Sequence, residues 1–149
     1  MQLNASTSYA ISIMLHLAKY KRVVSSNELT KSVAVSRRYL LQIAAKLRDG
    51  EMIGVNRGMI GGYFLLKEPE HINVYDIIIL MEGEIRIIEY WEESAIHSTL
   101  NEALFDLQSR VTHYLRSLTL DVLIHKTWPQ CLEYLTDILK PYYEGVQKL

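Results

Sequence analysis

A chain of 149 residues, 49% hydrophobic and 22% charged with seven glycines and three prolines, has the composition of one globular domain, which excludes a disordered or collagen-like chain. Its longest apolar run, Ile77 to Met81, is far too short for a membrane helix, and Met1 to Ala5 lacks the cationic start of a secretory signal, so a cytoplasmic location is expected. The net charge of −1 conceals ten Lys/Arg against three Asp/Glu over residues 1–67, then six against fourteen over 68–149: the first half meets a polyanion, or two opposite faces meet in a dimer.

Along the chain, Tyr9, Ala10, Ile13, Met14 and Leu17 recur at helical spacing and predict a first helix over residues 5–19. Ser25 with Glu28 three residues later is a capping box that opens a second helix to about Ser32. Ser36 is the N-cap of a third, Arg37 to Arg48, with Leu40, Ile43, Ala44 and Leu47 inward and Arg37, Arg38, Leu41, Gln42, Lys46 and Arg48 on the other face. Gly50 stands as its C-terminal stop. A longer helix followed by two short, closely joined ones is the helix-turn-helix pattern. Two strands, 52–55 and 63–66, then flank a glycine-rich turn with a basic tip, Asn56 to Gly62. A hairpin directly after a helix-turn-helix is the layout of a winged helix.

The acidic half reads as helical. Asn73 caps a helix over 74–81 that Gly83 ends, and Ile85 to Trp91 reads as strand or loop. Thr99, with Glu102 three on, opens a long helix to about Ser117. Its Leu100, Leu104, Leu107, Val111 and Leu115 keep near-heptad spacing, wider than a small winged helix needs for itself, so a symmetric helix–helix dimer seam is expected. Thr119 restarts a short helix to His125, and Pro129 with Leu132, Leu135, Ile138 and Leu139 predicts one more. The fold class is therefore mainly α with a small β-hairpin wing. Residues 1–83 form the winged helix-turn-helix, and 84–149 form the linker, the dimerisation helix and the C-terminal helices.

The stretch from Val35 through Ile43 to Arg48 resembles the Rrf-two family of bacterial winged-helix regulators, which includes iron–sulfur biogenesis, nitric-oxide and cysteine-metabolism repressors. Arg57 to Leu65 is similar to that family's wing, Asp76-Ile77 with Glu82-Gly83 to the segment after the wing, and Leu118-Thr119-Leu120 to the junction after its dimerisation helix. The resemblance covers about residues 1–125. It implies a cytoplasmic homodimer that binds a double-stranded DNA operator and usually represses. Three departures stand out. Many members hold an iron–sulfur cluster with three cysteines before the long helix, whereas residues 84–98 contain none, and Asn101 stands about where one branch has its histidine ligand. The usual wing tip, Arg-Gly-Pro-Gly-Gly-Gly-Tyr, has Met59-Ile60 in place of two small turn-adapted residues. Residues 127–149 have no counterpart. No cofactor is expected, and the signal is then a small molecule or a protein corepressor, as in one cluster-free branch.

A DNA reader needs donors for phosphates and donors for base edges. Ser36, Arg37, Arg38, Tyr39 and Gln42 lie in the first turns of the third helix, where Arg pairs with guanine and Gln with adenine; Tyr39 equally packs its ring. Lys46 and Arg48 further along the same helix, and Gly58, Gly61 and Tyr63 on the wing, are expected DNA contacts as well. Arg57 is the minor-groove candidate, because a narrow groove concentrates negative potential. Met59 and Ile60 press apolar atoms into that groove, cover a neighbour or stand exposed. Ser6 and Thr7 at the start of the first helix accept a phosphate or simply cap.

Enzyme chemistry is not expected. Cys131, the one cysteine, has His125 nearby in sequence but no third orienting group, and amid Leu132 and Leu135 it reads as a core residue. Glu93, His97 and His113 make at most a weak metal set. Tyr90, Trp91 and His97 lie between the basic half and the dimer helix and are the candidate effector contacts. The alternative reading is an interaction module of the same fold that has lost specific DNA binding.

Overall fold

The computed structural model describes residues 3–86 and 95–126, with the backbone alone for 95–98. Helix α1 (Ala5–Tyr20) is the centre of the fold. Ala10, Ile13, Met14, Leu17 and Ala18 are at most 1% exposed, and the helix touches α2 (Ser26–Val33), α3 (Arg37–Asp49), α4 (Val74–Glu82) and α6 (Leu120–His125). Leu29, Leu40, Ile43, Leu47, Ile53, Ile77 and Leu120 complete this core. A smaller cluster of Val74, Ile78, Ile85 and Leu118 joins α4 to the long helix α5 (Ala95–Ser117).

The serines at 25 and 36 open α2 and α3 as their spacing predicts: Ser25 Oγ accepts from the Glu28 N–H at 3.2 Å, and Ser36 Oγ from the Tyr39 N–H at 3.3 Å. The Glu28 carboxylate, however, does not return to complete a capping box. It accepts from Arg22 at 2.8 and 3.1 Å and lies 3.1 Å from His16 Nε2, which ties the end of α1 to α2. The Arg22 and His16 hydrogen bonds hold the Glu28 carboxyl below the usual glutamate range, and the Glu28 bond raises Arg22.

The hairpin strands β1 (Ile53–Asn56) and β2 (Gly62–Leu65) pair antiparallel, with Ile53 opposite Leu65 and Asn56 opposite Gly62. They sit one residue nearer the tip than expected, and a single Leu66 N–H to Met52 carbonyl bond of 3.2 Å extends the ladder. The cause is the α1–α2 connection. Val24 exchanges both backbone bonds with Tyr63, each 2.9 Å, and Gly62 lies so close to the Val24 carbonyl that a Cβ would overlap it.

Gly50 does not supply the left-handed residue after α3. That role falls to Glu51 at φ 54°, while Gly50 makes room for the Leu80 side chain of α4. Asn73 caps α4 by accepting from the Asp76 N–H at 2.9 Å, and Gly83 leaves it at φ 87°. Thr99 is not the cap of α5, which is already helical from Ala95. Thr119 accepts from the Val122 N–H at 3.2 Å and starts α6. Two backbone bonds of 2.9 Å, Val74 N–H to Leu118 and Leu120 N–H to Ile72, pin the α5–α6 junction beside the entry to α4. Most of the 85–91 segment and the expected helix after Pro129 lie outside the described residues.

Candidate nucleic-acid interface

The apolar face of α3 (Leu40, Ile43, Ala44 and Leu47) is spent on the core, so its other face is fixed outward. Arg37 and Arg38 stand exposed in the first turn, which contains no acidic residue, and Gln42 comes one turn later. There the free backbone N–H groups and the positive end of the helix dipole add to the two guanidinium charges. Among the described residues the side chains of Arg37, Arg38 and Gln42 have no hydrogen-bond or ion-pair partner, and neither has Arg57 on the wing. Exposed cations without carboxylates, beside exposed helical N–H groups, are what a phosphate surface requires.

The other α3 residues are more committed. Tyr39 is half-buried and meets the Tyr9 ring edge-on, with centroids 5.8 Å apart at 87°, so packing takes its ring. Lys46 turns toward the end of α4, with Nζ 3.5 Å from the Met81 carbonyl oxygen. Arg48 donates to Asp49 at 2.7 and 3.0 Å, both side chains being largely exposed, and such a surface pair yields readily to another anion.

The wing tip is a closed turn. The Gly61 N–H donates to the Gly58 carbonyl at 3.0 Å, and Gly58 takes φ 115°, a conformation open to glycine. Asn56, to which its sequence context assigns no role beyond the turn, donates from its side-chain amide to the Ile60 carbonyl at 3.3 Å and braces the tip. An Asn two residues before a glycine at a strand end is the available signal. Met59 is fully exposed and Ile60 is 85% exposed, so neither covers a neighbour in the described chain.

Two expected contacts are corrected. Thr7 is 0% exposed, its N–H bonds the Asn4 carbonyl at 3.0 Å, and its hydroxyl finds no partner among the described residues, so it belongs to the buried stripe of α1 and not to a phosphate site. Tyr63 is 8% exposed, within the core beneath the wing. Ser6 remains half-buried at the start of α1, where the Asn4 N–H already donates to a Glu82 carboxylate oxygen at 2.8 Å.

In α5, Leu100, Phe105 and Leu107 are exposed, and Leu104 and Val111 are half-buried. Leu115 instead packs against the Val74–Leu118 cluster of its own chain. Leu100, Leu104, Leu107 and Val111 therefore line a stripe that the described chain covers only in part. Tyr90, Trp91 and Glu93 lie outside the described residues, as do Cys131 and the His97 side chain; His113 is exposed on α5. His125 bonds within its own helix, with Nδ1 3.0 Å from the Asp121 carbonyl oxygen. Among the described residues no helix is long and apolar enough to cross a membrane.

A family model described as Rrf2, iron-dependent transcriptional regulator, matches residues 3–126. The chain is 30% identical over 129 residues to the HTH-type transcriptional regulator CymR of Bacillus subtilis (strain 168), covering 85% of this chain and 92% of that protein. The structure of CymR, the global cysteine regulator of B. subtilis, superposes with a TM-score of 0.78 at 29% identity, covering 85% of this chain and 98% of that one. The T. potens IscR structure is also similar, with a TM-score of 0.68 at 26% identity over 85% of this chain and 88% of that one. The whole sequence holds one cysteine, too few for a three-cysteine iron–sulfur cluster, and among the described residues no three His, Cys, Asp or Glu side chains converge on one point. The two-stranded hairpin after a helix-turn-helix, the match over residues 3–126 and the CymR superposition lead to one conclusion: this chain belongs to the Rrf2 (Rrf-two) family of winged-helix, DNA-binding transcriptional regulators and is not an enzyme.

Proposed function

We propose that the chain works as a homodimer that grips a pseudo-palindromic operator and represses the neighbouring gene, with its signal sensed without an iron–sulfur cluster. The observation that carries this reading is the exposed first turn of α3, where Arg37 and Arg38, unpaired among the described residues, stand at a helix N-terminus with Gln42 behind them. The Arg guanidinium forks fit guanine O6 and N7, and the Gln42 amide fits adenine N6 and N7. Ser36 and the partly committed Lys46 and Arg48 supply backbone contacts, and Arg57 reaches the adjacent minor groove.

The partly exposed stripe of Leu100, Leu104, Leu107 and Val111 supports pairing of two chains, because an apolar stripe left open on a long helix is rare on a monomer without an interaction role. Residues 1–83 then read DNA while 84–149 join the chains. Two recognition helices must sit about 34–36 Å apart to meet successive major grooves. A small molecule or protein corepressor acting near Tyr90, Trp91 and His97, which in sequence stand between the winged region and the dimer stripe, would change that spacing.

The test is to capture sheared genomic DNA with the purified protein at near-physiological salt and to sequence the fragments that stay bound. Enrichment of a few palindromic promoter fragments is the expected result. Recovery without sequence preference would instead support an interaction module that has lost specific binding.

A further inference from the structure

We infer that the wing tip is an apolar wedge: Met59 and Ile60 enter the minor groove beneath the wing, unstack a single base step and bend the operator. The inference rests on the DNA-binding reading above and adds a specificity determinant that charge alone does not provide. Three observations carry it. Met59 is fully exposed and Ile60 is 85% exposed, adjacent to each other at the tip of the hairpin, with no neighbour in the described chain to shield them. They occupy the two central positions of a turn already closed by the Gly61 N–H to Gly58 bond and braced by the Asn56 amide on the Ile60 carbonyl. The tip is therefore ordered before binding, and less conformational freedom is lost on insertion. Finally, the residue two before Met59 is Arg57, a cation without a carboxylate among the described residues, which draws the tip to the negative potential of a narrow groove.

Water is a poor environment for two such side chains, and the floor of the minor groove between splayed bases is an apolar one. Burying both side chains returns more free energy than unstacking a single step costs but not enough for a second, so one step is the natural extent of the wedge. Pyrimidine–purine steps, TA above all, open most easily, so the wedge selects sequence at a position where no hydrogen bond reads a base. In a symmetric dimer the two wings would place two such steps at equal distances from the operator centre.

The experiment uses the full chain and a duplex captured from genomic DNA, with 2-aminopurine placed in turn at each step of the flanking half-turns and dyes at both ends. The wild type is expected to raise 2-aminopurine fluorescence at one step per half-site and to shorten the end-to-end distance. The Met59→Gly/Ile60→Gly variant is expected to lose both signals and to bind about tenfold to a hundredfold more weakly. Its salt dependence should match the wild type, since no phosphate contact is lost. A Met59→Leu/Ile60→Leu variant, which keeps the apolar bulk, should restore the fluorescence change. Equal affinity, bend and fluorescence for the glycine variant and the wild type would overturn the wedge while leaving the DNA reading intact. Binding of no captured duplex by the wild type would overturn both.

Discussion

Helices α1 and α5 are the two longest in the described chain, and they treat their apolar residues in opposite ways. Over sixteen residues α1 hides Ala10, Ile13, Met14, Leu17 and Ala18 almost completely, whereas no described side chain of the twenty-three-residue α5 is fully buried. The α1 core closes within one chain, so the surface it holds up is left with charge: Arg37, Arg38 and Arg57, without partners among the described residues. On α5 the unmet need is apolar, in the exposed Leu100 and Leu107 beside the half-buried Leu104 and Val111. The contrast teaches that whatever a surface leaves unsatisfied identifies the partner it awaits, a polyanion in one case and a second apolar face in the other.

The contrast breaks first at its core. Ile13→Ala should cost about 2–5 kcal/mol in urea unfolding, since a buried methyl-rich side chain leaves a cavity. Leu107→Ala should cost under about 1 kcal/mol to the isolated chain, because its side chain is already 44% exposed. Equal losses would mean that α5 belongs to the same closed core. Replacing Arg38 by Ala should weaken binding to a captured fragment by about 1–3 kcal/mol and relax preference at one base position, measured by competition with variant duplexes. Arg57→Ala should reduce specific binding more than binding to random DNA, and equal losses on both would remove its minor-groove role.

Thr7→Val separates the buried stripe of α1 from a phosphate site. Removing a buried hydroxyl without a partner should raise stability by about 1 kcal/mol in thermal unfolding and leave DNA affinity unchanged. The smallest effect is at Glu28. Its carboxyl pKa is lowered in the folded chain by Arg22 and His16, so its contribution is present above the ordinary glutamate pKa and fades as pH falls through the lowered one. Glu28→Gln should therefore lower the melting temperature slightly at pH 7, with the difference closing toward acid.

Much of the fold is legible in the sequence because capping chemistry is local. Ser25, Ser36, Asn73 and Thr119 each announce a helix start through one side-chain oxygen and an N–H three residues on. Sequence and structure diverge where tertiary neighbours intervene. Glu28 matches a capping box, but His16 on α1 and Arg22 in the α1–α2 connection offer stronger partners. Gly62 looks like turn chemistry, yet it is the carbonyl of Val24 that requires it. Thr7 is recoverable, since it precedes Ala10 and Met14 at three and seven residues on the buried stripe; its hydroxyl alone suggests the surface. Tyr63 depends on which face of β2 meets the core, and the space over Gly54 goes to Phe64 on the other side. For the site itself, helical and hairpin periodicity place Arg37, Arg38, Gln42 and Arg57 at the surface where the structure also has them, but whether they are free of carboxylate partners needs the fold.

The central claim is that the two surfaces answer to different forces, and one sedimentation experiment across a salt series tests it directly. Mixed with a captured fragment, the protein should release the DNA steeply as salt rises, with a log–log slope of roughly −0.9 per phosphate contact. The freed protein should still sediment at twice the mass of one chain, because apolar association is not screened. Release of single chains together with the DNA, or binding that ignores salt, would contradict the account.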